Sequence, residues 1–154
     1  MIKDFSRYHG AAIVELLESV DDNLAIRSLS NAGFYVINDS LPIYVKYSTS
    51  RKGPWVFNFA LAHQVVENDL FEEFGECLTV FVCGKDGIAA ILHCQLKQLL
   101  DEDFEDQESV IIKRRHNQMY QVRGKNGSLD KKVSRSSLPD AFLNFRQKCK
   151  LVLQ

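Results

Sequence analysis

The sequence predicts a single α+β domain, in which a central mixed β-sheet is flanked by helices. Apolar residues recur at helical spacing over 8–20 and 61–74, which is typical of amphipathic helices. Apolar and polar residues alternate over 42–48 and 55–60, as in strands with one buried face. A continuous apolar run over 77–83 indicates a strand that is buried on both faces. At 154 residues, the chain is long enough for one substantial core.

The first helix and the strands after it follow from local signals. Residues 8–20 are amphipathic, and Asp4 or Ser6 can accept hydrogen bonds from the first turn of the helix. Turn residues at 38–40 separate the first two strands, and Pro42 is tolerated because it opens the second one. The predicted strands of this half are 33–37, 42–48, 55–60, 77–83 and 88–92. We expect the first four to share one mixed sheet, with the two long helices packed against it.

The second half of the chain is less regular. A short helix is predicted at 95–100, and the acidic run at 101–106 is predicted to be an exposed loop. Residues 110–114 and 120–123 have the composition of two paired strands. A closing helix is predicted at 139–153, because apolar residues recur there at helical spacing.

Charge is unevenly distributed along the chain, although the formal net charge is only −1. Residues 109–154 form a strongly basic C-terminal extension, whereas residues 1–108 carry most of the acidic side chains. Such polarity can mark a surface for an anionic polymer, or it can mean that the two halves attract each other. The sequence leaves both alternatives open.

Composition and cysteine usage predict a cytoplasmic protein with no membrane partner. No apolar run approaches the roughly 18 residues of a membrane span, and the N-terminus lacks the apolar segment of a secretory signal. The four cysteines include no Cys-x-x-Cys pair. This spacing favours buried free thiols over disulfides or a zinc site.

Residues 38–59 carry the strongest functional signal. Asp39 lies in a turn before the strand that contains Lys46, and a basic loop with Arg51 and Lys52 follows that strand. An acid and a lysine in this order can hold a metal ion and a phosphate together. Local alternatives exist for both residues. Asp39 can serve the turn alone, and Lys46 can lie on a sheet edge, where lysine prevents pairing with other chains.

This order of elements resembles the core of the restriction-endonuclease-like, or PD-(D/E)XK, nucleases over residues 8–100. The resemblance is carried by Tyr44-Val45-Lys46-Tyr47-Ser48-Thr49-Ser50-Arg51, followed by Trp55-Val56-Phe57. It implies that Asp39 binds Mg²⁺, that Lys46 positions water or stabilises charge on the phosphate, and that Glu15 supports the metal site. Tyr44 stands where the family usually has Glu, Asp or Gln. This departure implies that cleavage is slow or absent.

Two classes of function follow. The first is a nuclease-like protein that binds nucleic acid, DNA rather than RNA, with or without Mg²⁺-dependent cleavage. We expect its binding surface to include Arg51, Lys52, Lys113, Arg114 and Arg115, because phosphate contacts supply most non-specific affinity. The second class is an immunity or regulatory protein that keeps this fold as a scaffold for a protein partner. The sequence leaves the choice between enzyme and binding protein open, and it does not define the oligomeric state.

Overall fold

A mixed β-sheet flanked by helices forms the centre of the molecule, and a second, smaller sheet packs against it. The computed structural model describes residues 1–21, 23–100 and 108–152. The arrangement confirms the predicted α+β class with a central mixed sheet. The predicted loop at 101–106 and the predicted helical residue Leu153 lie outside the described residues.

The described residues form four helices and nine strands. The helices are α1 (Asp4–Ser19), α2 (Leu61–Phe74), α3 (His93–Leu99) and α4 (Ser137–Val152). The strands are β1 (Ile26–Ser28), β2 (Phe34–Ile37), β3 (Leu41–Ser48), β4 (Trp55–Phe59), β5 (Leu78–Cys83), β6 (Gly87–Ile91), β7 (Glu108–Lys113), β8 (Gln121–Gly124) and β9 (Gly127–Ser128). Among the described helices, none combines the length and the apolar character that a membrane span requires.

The first sheet has the strand order β1-β2-β3-β5-β6. Strands β3 and β5 are parallel, whereas the other neighbours are antiparallel. A parallel pair needs a long crossover connection, which β4 and α2 supply here. Every residue of β5 is buried, as predicted for the apolar run at 77–83.

The second sheet has the order β4-β7-β8-β9 and is antiparallel throughout. We expected residues 55–60 to join the central sheet, and this prediction is wrong because β4 pairs with β7 instead. The aromatic side chains of β4 point into the core and alternate with the exposed Val56 and Asn58. Such alternation shows that one face of a strand is covered, but it does not identify the neighbouring strand.

The first sheet separates two apolar cores. On one face, Ile43 of β3 packs with Leu16 of α1 and Phe142 of α4. On the other face, Tyr44 packs with the aromatic residues of β4, and α2 and α3 close that side. Because successive strand residues point to opposite faces, Lys46 lies on the same face as Tyr44.

All four cysteines are free. Cys77 and Cys83 are buried, as predicted, whereas Cys94 is exposed and Cys149 is partly buried. Burial raises the pKa of both the Cys77 and the Cys83 thiol, so these two side chains stay protonated and pack as small apolar groups. The prediction of buried thiols therefore holds for the two cysteines at the ends of the apolar run 77–83.

Strand β3 continues beyond the end of β2, which leaves part of its edge open. Strand β2 pairs with residues 41–44, and the Val45 amide donates to the Gly33 carbonyl just before β2. Gly33 has a φ of 90°, and an added Cβ would lie 3.3 Å from the Val45 carbonyl oxygen, so only glycine suits this approach. From Lys46 onwards, no described strand pairs with that edge of β3, and β4 turns its own free edge to the same space.

Candidate functional site

A cleft of about 370 Å³ opens between the free edges of β3 and β4. The first two turns of α1, the first turn of α2 and the residues before β2 complete its walls. A larger groove of about 410 Å³ lies between β6 and α4, but lysines and Asp140 place both signs of charge on its walls. We select the smaller cleft as the candidate site because four side chains with shifted pKa values converge there.

Lys46 supplies the positive charge of this cleft. Its Nζ lies 4.9 Å from the ring centroid of Tyr44 and 4.7 Å from that of Phe59, and it donates a hydrogen bond to Tyr44 Oη at 3.0 Å. Burial lowers the pKa of Lys46 to about 8. Among the described residues, no carboxylate lines the cleft or forms an ion pair with Nζ. An ammonium group has three N–H donors, and Tyr44 uses one of them. Lys46 can therefore donate further hydrogen bonds to an anionic ligand.

Tyr44 connects Lys46 to His63. Burial raises the pKa of Tyr44 to about 12, so its hydroxyl keeps the proton near neutral pH. The hydroxyl accepts from Lys46 Nζ and donates to His63 Nδ1, which lies 3.0 Å away. This direction assigns the remaining ring proton of neutral His63 to Nε2. The ring of Phe34 stacks on Tyr44 with a centroid distance of 4.0 Å and holds the phenol in place.

Both histidines near the cleft are neutral at pH 7. Burial is the main cause that lowers the pKa of His9 to about 4, and the charge of Lys46 is the second cause. The same two causes, in the same order, lower the pKa of His63. His9 is fixed by a contact of 3.0 Å between its Nδ1 and Tyr35 Oη, and its ring stacks on Phe5. Among the described residues that line the cleft, Lys46 is therefore the one that is charged at pH 7.

The structure does not bring Glu15, Asp39 and Lys46 into one pocket, so their predicted convergence is wrong. Asp39 lies in the exposed turn before β3, with a φ of 51°, and pairs with Arg27 at 3.2 Å. Lys46 lies five residues along β3 from Leu41, or about 17 Å at roughly 3.3 Å per residue. Glu15 lies beside Leu16, in the part of α1 that packs on the opposite face of the first sheet from Lys46.

The binding of Mg²⁺ by Asp39 stays a prediction. Magnesium is held by carboxylate oxygens together with water or phosphate. Asp39 is a single exposed carboxylate that already pairs with Arg27. No group of three His, Cys, Asp or Glu residues in the described part of the chain is arranged to hold a metal ion. We therefore assign no step to a metal.

The predicted nucleic-acid contacts fall into two groups. Arg51 and Lys52 are exposed in the loop after β3. Because Trp55 pairs with Ile112, the exposed Lys113 lies level with the residue before Trp55, at the same end of the second sheet as this loop. Arg115 is exposed two residues further on. These four basic side chains, Arg51, Lys52, Lys113 and Arg115, share one end of the molecule.

Arg114 differs from its basic neighbours because its guanidinium group is occupied. Its Nε and Nη2 donate to the two carboxylate oxygens of Asp86 at 2.9 and 2.6 Å. The Tyr120 hydroxyl donates to the same carboxylate at 2.7 Å. The hydrogen bond from Arg114 is the main cause that lowers the pKa of Asp86. This cluster joins the β5–β6 turn to the second sheet, a structural role that the sequence did not predict.

A second buried polar cluster connects α2 to the start of α3. Both carboxylate oxygens of Glu67 lie 2.8 Å from His93 Nδ1, and the ring of Phe71 stacks on His93 with a centroid distance of 3.7 Å. Glu76 accepts hydrogen bonds from the backbone amides of His93 and Cys77. Burial is the main cause that raises the pKa of Glu67. Because the cluster is closed and largely satisfied, we interpret it as structural.

Sequence reasoning placed Tyr44 beside Lys46, as the residue that replaces an acid, but it missed His9 and His63. Residues two apart on a strand share a face, which explains why Tyr44 could be found. His9 and His63 come from two different helices, and no local spacing connects them to Lys46. Comparisons of the chain with protein-family models, with curated proteins and with solved structures found no match. The functional argument therefore depends on the geometry of the cleft.

Proposed function

We propose that this protein binds nucleic acid through the phosphate backbone and cleaves it slowly or not at all. The main support is Lys46, a partly buried ammonium group that no described carboxylate neutralises. Removing a charge from water without a counterion is unfavourable, so the cleft favours an anionic ligand. A phosphate oxygen next to Nζ would supply both the opposite charge and a charge-assisted hydrogen bond.

The exposed basic residues extend this site towards one end of the second sheet. Arg51 and Lys52 follow β3 directly, and Lys113 lies beside their loop. The five residues from Lys46 to Arg51 span at most about 17 Å. That length matches roughly five phosphates at about 3.4 Å each along one strand of a duplex. One nucleic-acid strand can therefore contact the cleft and the loop at the same time.

Slow or absent cleavage follows from the residue beside Lys46. The resemblance to nucleases places an acid at the position of Tyr44, and a protonated phenol is a poor ligand for Mg²⁺. Burial raises the pKa of Tyr44 to about 12, so the hydroxyl does not ionise in the physiological range. We therefore expect DNA to be bound in the presence of EDTA and to remain largely intact after addition of Mg²⁺ or Mn²⁺.

Fluorescence anisotropy with DNA and RNA oligonucleotides tests this proposal. Binding should weaken steeply with salt, and the double variant Arg51→Ala/Lys52→Ala should reduce the slope of log K against log salt by about two. Lys148→Ala is the matched control, because this exposed residue lies on α4, on the other face of the first sheet. Equal effects of the two sets of substitutions, or no binding at low salt, would contradict the proposal. Fast Mg²⁺-dependent cleavage that Lys46→Ala abolishes would show a working nuclease instead.

Binding of a protein partner is a second candidate function, and the two free strand edges favour it. Residues 46–48 of β3 pair with β5 on one side, but their opposite edge and the outer edge of β4 have no strand partner among the described residues. Such edges can accept an extended segment of another protein by β-augmentation. If nucleic acid fails to bind at low salt, this candidate becomes the better one.

A further inference from the structure

We propose that Lys46 is a nucleophilic amine that forms an imine with an aldehyde ligand in the cleft between β3 and β4. This activity goes beyond the binding of a phosphate backbone and does not depend on it. The proposal is based on three features of the cleft. They are a lysine without a described carboxylate partner, a hydroxyl at hydrogen-bond distance from its amine, and space for a small ligand beside it.

The surroundings of Lys46 enlarge the fraction of neutral amine, which is the form that attacks a carbonyl carbon. Burial in the cleft removes part of the hydration of the charged form and lowers its pKa, and this effect outweighs the attraction between Nζ and the ring faces of Tyr44 and Phe59. With a pKa of about 8, roughly a tenth of the Lys46 side chains are neutral at pH 7. An ordinary lysine has roughly 0.03% in that form. The cleft volume of about 370 Å³ is within the range of small-molecule sites.

Tyr44 and His63 provide a route for the protons that move during the reaction. Nζ, Tyr44 Oη and His63 Nδ1 are connected by two contacts of 3.0 Å each. An ammonium proton passes through the Tyr44 hydroxyl to His63, and the free amine then forms a bond to the aldehyde carbon. The carbonyl oxygen takes up that proton and a second proton from nitrogen, and it leaves as water. The products are a protonated imine and one water molecule, so the atoms and charge of the ammonium group and the aldehyde are conserved.

The charged and titratable groups around Lys46 are compatible with this reaction. Helix α1 contributes His9, α2 contributes His63, and β3 itself contributes Tyr44 and Tyr47. Strand β4 contributes no titratable side chain to the cleft. No carboxylate of the described residues lines the cleft, so no anion there holds Lys46 in its charged form, and both histidines are neutral at pH 7.

Reductive trapping of the full chain with glycolaldehyde and sodium cyanoborohydride tests the proposal. The reductant transfers hydride to the imine carbon and leaves a stable secondary amine, which peptide mass mapping locates. We expect Lys46 to be labelled at least tenfold faster than the exposed Lys113 and Lys148 at pH 7, with a midpoint near pH 8. The proposal would be overturned if Lys46 were labelled no faster than Lys113. It would also be overturned if the pH midpoint of labelling at Lys46 were not lower than that at Lys113.

Two variants separate the proton route from burial alone. Tyr44→Phe keeps the ring over which Lys46 packs but removes the hydroxyl, so trapping at Lys46 should slow several-fold. His63→Ala changes a residue that belongs to neither apolar core and should also slow trapping at Lys46, without an effect at Lys148. Unchanged trapping in both variants would overturn the assigned route. Oligonucleotide binding by the same samples keeps the two proposals distinguishable, because loss of binding with intact trapping would contradict only the nucleic-acid function.

Discussion

Replacement of Lys46 by methionine should make the protein more stable near neutral pH while weakening the proposed binding of nucleic acid. Methionine is similar in length and packs well against aromatic rings. The gap between the ordinary lysine pKa of 10.5 and the value of about 8 in the fold corresponds to about 3 kcal/mol of unfavourable free energy. Below pH 8 the unfolded chain holds the lysine proton more tightly than the folded chain, so this destabilisation is fully present there. It decreases as the pH rises from 8 towards 10.5.

Urea unfolding of the wild type and Lys46→Met at two pH values measures this effect. The variant should gain about 2 to 3 kcal/mol at pH 6.5, and the gain should fall to about 1 kcal/mol at pH 9.5. Lys148→Met is the control, since this exposed side chain on α4 should show a small effect that is similar at both pH values. A loss of stability in Lys46→Met, or a gain that is independent of pH, would refute the account of an uncompensated charge in the cleft.

Three further predictions concern the framework around the cleft. His93→Ala should lower the free energy of unfolding by about 3 kcal/mol in urea titrations, because it leaves the carboxylate of Glu67 buried without its partner. A smaller loss than in Glu67→Gln would contradict this. Arg114→Ala should lower the melting temperature, whereas Arg115→Ala should leave it unchanged and weaken DNA binding at low salt; the reverse pattern would show that Arg114 is a ligand contact. Gly33→Ala should destabilise by about 1 to 2 kcal/mol in urea titrations, since the residue has a φ of 90° and its new methyl group would crowd the Val45 carbonyl. An unchanged midpoint would show that the loop before β2 can relax.

Much of the fold could be predicted from periodicity, since the pattern of a helix or strand is local. The continuous apolar run at 77–83 identified β5 as a strand buried on both faces, and the structure confirms this. The sheet assignment of β4 failed because alternation reports burial of one face, whereas pairing with β7 depends on residues about 50 positions away. The short strands β1 and β9 were missed, since two or three residues carry too little pattern.

The candidate site was predictable only in part. Lys46 stands out in the sequence as a charge within an apolar strand, and the structure places it in a cleft. Tyr44 comes from the same strand, but His63 comes from α2 and His9 from α1, so the approach of the two histidines depends on tertiary packing. For Asp39 the sequence reasoning assigned too much. The chemistry of the turn and the pairing with Arg27 explain this acid, whereas the resemblance to nucleases also assigned it a metal ion.

The most direct test of the central claim is an NMR titration of the Lys46 Nζ group, in the free protein and with a DNA oligonucleotide at low salt. The account predicts a pKa near 8 for Lys46 in the free protein, because burial disfavours the charged form. Bound phosphate should stabilise the charged form and raise this pKa by at least one unit. An ordinary lysine pKa in the free protein, or a value that DNA binding leaves unchanged, would contradict the claim that Lys46 is the uncompensated cation that receives the ligand.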